Sequence, residues 1–499
     1  MIETEERAPR QRPEVLVGVL VLLVCVIGGA LVAGLERVGL LSAVFLAPAG
    51  LLGCLALFVW PHLGLLVAMF FAVDVLFLGE LLDIRVLGGG IELKDLVFAL
   101  MCGLIWVRGS LDRRYRPRVT LMSKGVSLFL VGALVSAVWA QARGVPLLDT
   151  LQGLRPLFYY VMFYLVCGAL RDRRQERTVL RGLLIIAALA AAVSIAQYVV
   201  GPNLVITGGR IEVGAATSGA TRVVLPGTEF VNIMFLFAVC LAVFAPRGRT
   251  RLVYIALAGL FGLAVLLSFS RNLWLADFLV LVLLLGLVER RRRGQIVAAA
   301  LVALIVLALG VLLLGSLPAA SSAGASLAEA LGNRVTEIMG GNITQLATID
   351  GRLGEVILAW EHIRTSPLLG IGLGAAYYGA SDSPWSPGSI QRHPYLVRYV
   401  HNGYVSIALK MGIPVLCLYL GIFVLFVAQS LRVFRKADEW QDRAVASAIT
   451  LSCVGLLITD MIHPAFLSTS GAATIGLLWG LGEVMRLRLR DADVVGASS

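Results

Sequence analysis

The chain has 499 residues, of which 59% are hydrophobic and 15% charged, with a formal net charge of +11. A soluble domain is about half apolar and a quarter charged, so this composition excludes an ordinary soluble fold and predicts an all-α polytopic membrane protein. In that setting the positive charge is a topology signal, because basic loops collect on the cytoplasmic side of a membrane; no nucleic-acid partner is expected.

A helix of about 17–25 mostly apolar residues crosses a bilayer. In chain order, about 14 transmembrane helices are expected, over residues 14–35, 38–60, 63–79, 93–108, 123–140, 157–170, 179–200, 228–245, 252–270, 272–289, 294–317, 401–431, 442–460 and 465–487. The polar MIETEERAPRQRPE at the start lacks a cleavage pattern before the first apolar run, which reads as a retained span. The runs RGSLDRRYRPR, RDRRQER, PRGRTR, ERRRRG, RVFRKADEWQDR and MRLRLRD then all fall on one side, and a miscount of one would destroy that alternation. The layout predicts both termini in the cytoplasm. Residues 1–317 hold helices 1–11, residues 318–400 form a long, partly helical outer loop, and residues 401–499 hold helices 12–14 and a cytoplasmic tail. All seven cysteines fall in apolar stretches and none forms a CxxC pair, so they read as small packing residues rather than metal ligands.

Most outer loops are short, and the one at 318–400 is not. A loop of that length in a compact protein is usually functional or disordered. Within it, GRLGEVILAWEHIRTSP places Leu353, Ile357, Trp360 and Ile363 or Arg364 at helical spacing. Asp350 is positioned to cap its start, Pro367 and GIGLG end it, and SDSPWSPGS is an irregular surface segment.

Several basic residues remain on the outer side. Arg271, in Ser270-Arg271-Asn272 between two close spans, is costly in lipid unless it meets water, protein or a ligand; it either snorkels to headgroups or binds something. Arg222 opens RVVLPG before the eighth span and by itself reads as a surface arginine. Arg352 lies at the start of the loop helix, and Arg155 sits in LQGLRPLFYY beside Pro156, which can begin a helix. His401, one of five histidines, stands at a helix entrance that Asn402 can cap, a local pattern that favours a structural role. Lys410 is nine residues on, about 180° around a helix, and is no partner for it.

Together these residues suit one chemistry. Arginine forks grip phosphate oxygens and stay charged, and histidine exchanges a proton near neutral pH. A lipid-linked diphosphate sugar needs its departing diphosphate stabilised and its attacking hydroxyl deprotonated.

Four patches in order, Arg222–Gly227, SFSRNLWLA at 268–276, GRLGEVILAWEHIRTSPLLGIGLG at 351–374 and HNGYVSIALKMGIPV at 401–415, resemble the O-antigen ligase/polymerase superfamily of bacterial GT-C-type membrane glycosyltransferases. The resemblance spans about half the chain. It implies a many-helix bundle whose outer loop carries part of the active site, and an enzyme that moves glycan from undecaprenyl diphosphate to an acceptor on the periplasmic or extracellular face of the cytoplasmic membrane. The acceptor is lipid A-core in ligases and another lipid-linked repeat in polymerases. By the same resemblance His401 is the base or acceptor-binding group. Arg222, Arg271, Arg352 and, most distantly, Arg155 contact the diphosphate. Transfer would be inverting and metal-independent, with no cofactor; membrane lipids surround the protein, and a chain-length regulator or flippase is a further expected partner. The sequence departs from the family at Asn272, where a small residue is common, and at Thr228, where asparagine is frequent. Fourteen spans exceed the twelve usual for ligases, which leans toward a polymerase.

Two other readings stand beside this one: a transporter of a small anion, which would favour a midplane site on broken helices, and a non-catalytic scaffold for envelope assembly. The acids Glu80, Asp83, Glu92 and Asp95 could bind a cation but read first as a solvated loop. Asp74, Asp277 and Asp460 lie near outer span ends and are left out of the site.

Overall fold

The computed structural model describes residues 53–74, 92–200, 210–212, 222–224, 227–290, 292–294, 296–297, 347–379, 383–384 and 394–498. The expected span 14–35, most of 38–60 and of 294–317, the acids Glu80 and Asp83, and most of SDSPWSPGS lie outside them.

Among the described residues the protein is helical, apart from one two-stranded antiparallel ribbon in which β1 (Arg210–Glu212) pairs with β2 (Arg222–Val224). The helices are α1 (Pro61–Val73), α2 (Leu93–Leu111), α3 (Leu121–Ala142), α4 (Leu147–Phe158), α5 (Met162–Ala169), α6 (Arg173–Val200), α7 (Thr228–Phe244), α8 (Arg249–Leu267), α9 (Arg271–Leu287), α10 (Ala347–Thr365), α11 (Gly403–Met411), α12 (Ile413–Lys436), α13 (Trp440–Thr459) and α14 (Thr469–Ser498). Five are long and apolar enough to cross a membrane: Leu121–Ala142, Arg173–Tyr198, Arg249–Leu267, Ile413–Lys436 and Trp440–Thr459. Pro61–Val73 and Thr228–Phe244 are shorter apolar helices. The expected count of fourteen spans is not established by these elements.

Several boundaries differ from the sequence expectation for identifiable reasons. The stretch 252–289 is two helices, as expected, because the chain turns at Ser268–Ser270 with Phe269 at φ 49°. The stretch 401–431 is not one span. It breaks at Gly412, whose φ of 90° suits only glycine, and where an added Cβ would lie 2.1 Å from the Leu368 carbonyl oxygen. Pro156 does not begin a helix but lies inside α4. After α4 the chain tightens into a 3₁₀ turn at Tyr159–Val161 before α5. The loop helix starts at Ala347, so Asp350 falls in its first turn rather than capping it.

The core is aromatic and centred on Trp479 of α14, which is fully buried and has Tyr160 at 5.5 Å and Phe423 at 5.2 Å between ring centroids. Gly476 and Gly480 let α14 reach α5: an added Cβ would lie 3.0 Å from the Met162 Cβ and 2.5 Å from the Val166 Cβ. Small residues four apart permit such close approach of apolar helices.

The helices give the bundle two distinct ends. At one, the starts of α6 and α13 meet the end of α14: Arg173 pairs with Glu439 and Asp442, and Arg488 with Asp442 and Glu176. These are the arginine-rich segments that the charge alternation places together. The starts of α7, α9 and α12 and the ends of α3 and α13 lie at the opposite end, where the sequence candidates gather.

Candidate active site

His401 precedes α11, whose N-terminus is held by several contacts. Asn402 accepts the Val405 N–H through Oδ1 at 3.0 Å, which is the expected N-cap. Its amide also donates to the Met461 carbonyl at 3.0 Å. Gly403 N–H donates to the Asp460 carbonyl at 2.8 Å, and Asp460 Oδ1 accepts the Ala465 N–H at 2.9 Å. Asp460 therefore anchors the turn after α13, and that turn anchors the residues beside His401.

The imidazole faces Glu355, from the middle of α10. Nδ1 lies 3.0 Å from Oε1 and 2.9 Å from Oε2, and the His401 backbone N–H donates to Oε2 at 2.9 Å. Glu355 is 0% exposed and the His401 side chain 20% exposed. A carboxylate only accepts hydrogen bonds, so against ionised Glu355 the Nδ1 atom carries the ring proton and Nε2 presents a lone pair. The Tyr399 ring stands perpendicular to the imidazole at 4.9 Å and limits its rotation.

Glu355 was not among the residues expected from sequence. Its signal was present: an acid inside GEVILAW, four residues from Gly351 and four from Ala359. These three and Ile363 form the buried face of α10, whereas Leu353, Ile357 and Trp360, the apolar set at helical spacing, are exposed. Hydrophobic spacing marked the helix, and the face that α10 buries is a different one.

A second small core docks the loop onto α11. Ala359 and Ile363 pack with Tyr377, Tyr378, Leu396 and Leu409. Tyr377 donates to the Tyr399 carbonyl at 3.0 Å and Tyr378 to the Leu396 carbonyl at 2.8 Å; burial pushes the Tyr378 phenol up to about 12, so it stays a neutral donor. Lys410 donates to the Ala375 carbonyl and lies 5.4 Å from the centre of the Tyr377 ring, on the loop-docking side of α11.

The arginines divide. Arg352 is on α10, three residues from Glu355 and therefore on a neighbouring face. Arg271 is the first residue of α9, whose N-terminus lies at the same bundle end as the C-terminus of α13, the helix it packs against. Arg222 lies in β2 opposite Glu212, and its side chain is outside the described residues. Arg155 is engaged elsewhere: its guanidinium lies 2.7 Å from Asp95 Oδ2 and 2.8 Å from Glu92 Oε1. Burial alone would lower its pKa, but the two acids outweigh that and raise it. Glu92 and Asp95, read from sequence as a solvated pair, are thus neutralised by Arg155, with Lys94 also on Glu92. Asp149 on the same helix pairs with Arg398 at 2.6 Å, tying α4 to the segment leading into His401.

One further pair borders the site. His463 Nε2 lies 3.2 Å from Glu229 Oε1, two residues beyond the Met461 carbonyl that Asn402 holds. Neither residue was expected from sequence, because each is isolated in its local context.

Residues 256–420 match the family model described as O-antigen ligase. The match includes Arg271, Arg352, Glu355 and His401, and leaves Arg155, Arg222, Glu229 and His463 outside. No curated protein matches the chain.

Proposed function

The chain carries an O-antigen ligase domain at residues 256–420 and falls in the O-antigen ligase/polymerase superfamily, a membrane glycan-transferring enzyme of that kind, and from that premise we propose that it moves glycan from a polyprenyl-diphosphate carrier to a hydroxyl of a glycan acceptor. The contact that carries this reading is the Glu355–His401 pair, a buried carboxylate against the Nδ1 atom of a part-exposed imidazole.

In the proposed step, His401 Nε2 takes the proton of the acceptor hydroxyl. The oxygen attacks the anomeric carbon from the face opposite the diphosphate and forms the new glycosidic bond. The bond to the phosphate oxygen breaks, and the diphosphate leaves with the electron pair, so the configuration inverts. Arg271 and Arg352, with Arg222 from the ribbon, stabilise the departing charge. Glu355 is a positioning residue: it fixes the tautomer and orientation of His401 and stabilises the imidazolium that forms. Arg155 belongs to an ion-pair group with Glu92 and Asp95 and is not proposed as a diphosphate ligand. The charge alternation puts this end of the bundle on the outer face of the cytoplasmic membrane.

The test is product analysis with the purified protein in vesicles, supplied with a lipid-linked repeat unit with or without lipid A-core. Lengthening of the lipid-linked chain alone identifies a polymerase, and transfer that requires lipid A-core a ligase. Absence of both products, with solute uptake that persists in His401→Ala, would replace the enzyme reading with the transporter.

A further inference from the structure

The helix that buries Glu355 turns a second face outward. At 100° per residue, Leu353, Ile357, Trp360 and Arg364 fall within about 60° of arc, away from Gly351, Glu355, Ala359 and Ile363. Leu353, Ile357 and Trp360 are each more than half exposed, and Leu368 beyond the helix end extends the apolar surface. The inward side of α10 is built of glycine, an acid, alanine and one isoleucine, and its largest apolar side chains are the outward ones. A helix covered by water would be expected to show the reverse.

What covers this stripe is set by what it joins. The segment Pro367–Gly372 is wedged against the ends of two membrane-spanning helices: Ile413 N–H at the start of α12 donates to the Pro367 carbonyl at 2.8 Å, and Trp139 Nε1 near the end of α3 donates to the Gly370 carbonyl at 3.1 Å. Those helices present their own exposed apolar side chains, Val131, Val135 and Val138 on α3 and Leu420 and Val424 on α12. On a spanning helix such a surface is the one that lipid covers. Leu368 and Leu369, in the segment that joins α10 to those helix ends, are exposed as well, so the chain carries exposed apolar side chains from the α10 stripe to that belt. Tryptophan is the side chain enriched where such a belt meets headgroups, and exposed Glu361, Arg364 and Thr365 supply a polar edge.

We propose that α10 is an interfacial helix seated in the membrane leaflet on the side of the active site, with membrane phospholipid as the occupant of its Leu353–Ile357–Trp360 stripe. An interfacial helix sinks about 5–10 Å into the headgroup–acyl boundary. The opposite face, carrying Glu355, then lies about one helix diameter, roughly 10 Å, above it, the level of a lipid-linked diphosphate. The bilayer surface thereby sets the height of His401 through Glu355. This inference rests on the chain being membrane-embedded and not on the transfer chemistry.

The test uses full-length protein in phosphatidylethanolamine–phosphatidylglycerol vesicles containing a diazirine-bearing phospholipid, irradiated and mapped by peptide mass spectrometry. Adducts are expected on Leu353, Ile357, Trp360 and Leu368 together with Val131 and Val138, and none on Ala359 or Ile363. The triple variant Leu353→Ser, Ile357→Ser, Trp360→Ser should lose the adducts at positions 353, 357 and 360 while keeping those of α3, which report an intact bundle. Labelled α3 with an unlabelled α10 stripe would overturn the proposal. So would stripe adducts that persist in the variant at the wild-type level, or that vanish from the wild type when a polyprenyl diphosphate is added, since the last result assigns the stripe to a substrate tail.

Discussion

The two ends of the bundle both carry charge, and they use it in opposite ways. At the basic end each buried or half-buried carboxylate meets guanidinium: Asp442 takes Arg173 at 2.9 Å and Arg488 at 3.1 Å, and Glu176 takes Arg488 at 3.1 Å. Every member is fixed by an oppositely charged neighbour, and the network ties three helices together. At the site end a fully buried carboxylate, Glu355, meets a histidine. Arginine is always charged, whereas histidine gains and loses a proton near neutral pH. A carboxylate–arginine contact therefore clamps, and a carboxylate–histidine contact can move a proton. Arg155 shows that position alone does not decide: it lies away from the basic network, yet Asp95 and Glu92 make it a clamp.

That contrast can be broken most directly at His401. His401→Ala is expected to lower glycan transfer in reconstituted vesicles by about 10²–10⁴-fold, the range for a general base, with the folded yield unchanged; near-wild-type turnover would show that the pair is only structural. Glu355→Gln keeps the size and removes the charge. Turnover should fall by about 10²-fold or more while KM for the lipid-linked donor stays put, the signature of a group that acts through another. A raised KM with unchanged turnover would instead place Glu355 in donor binding.

The arginines give the next largest effects, and they should separate. Arg271→Ala is expected to cost about 10²–10³-fold in rate per folded molecule, as loss of one electrostatic contact to a developing charge does. Arg155→Met should instead destabilise the detergent-solubilised protein by about 1–3 kcal/mol by removing the guanidinium from Asp95. Asp95→Asn in the same chain should recover part of that loss in a thermal shift assay. If Arg155→Met instead abolished transfer at unchanged stability, the division between clamp and site would be misplaced. The smallest catalytic effect belongs to Asp442→Asn, which loosens α6, α13 and α14 at the basic end. Its thermal stability should drop while transfer per folded molecule stays within about twofold, as expected for sites with no shared partners.

The reach of the sequence can be judged residue by residue. The apolar runs and the alternation of arginine-rich loops predicted a helical membrane bundle with two unlike ends, and α3, α6, α8, α12 and α13 fulfil that by length and apolarity. The Asn402 cap was legible because the contact with Val405 N–H lies within four consecutive residues. The break at Gly412 was not, because it arises where the Leu368 carbonyl approaches from a distant segment. His401 could be singled out as a rare residue at a helix entrance, but its partner could not. Glu355 lies 46 positions away, and its helix buries small residues where periodicity would have buried the large ones. Arg155 looked like a free cation because its acids lie about sixty residues earlier in the chain.

The sequence by itself determined the solvent, the helical class and the side on which each charge gathers, because hydropathy and charge act over a few turns of chain and need no partner. Only the tertiary structure decided which charged group meets which. That choice depends on contacts between residues far apart in sequence, and a buried group acquires its role from the atom brought within 3 Å of it.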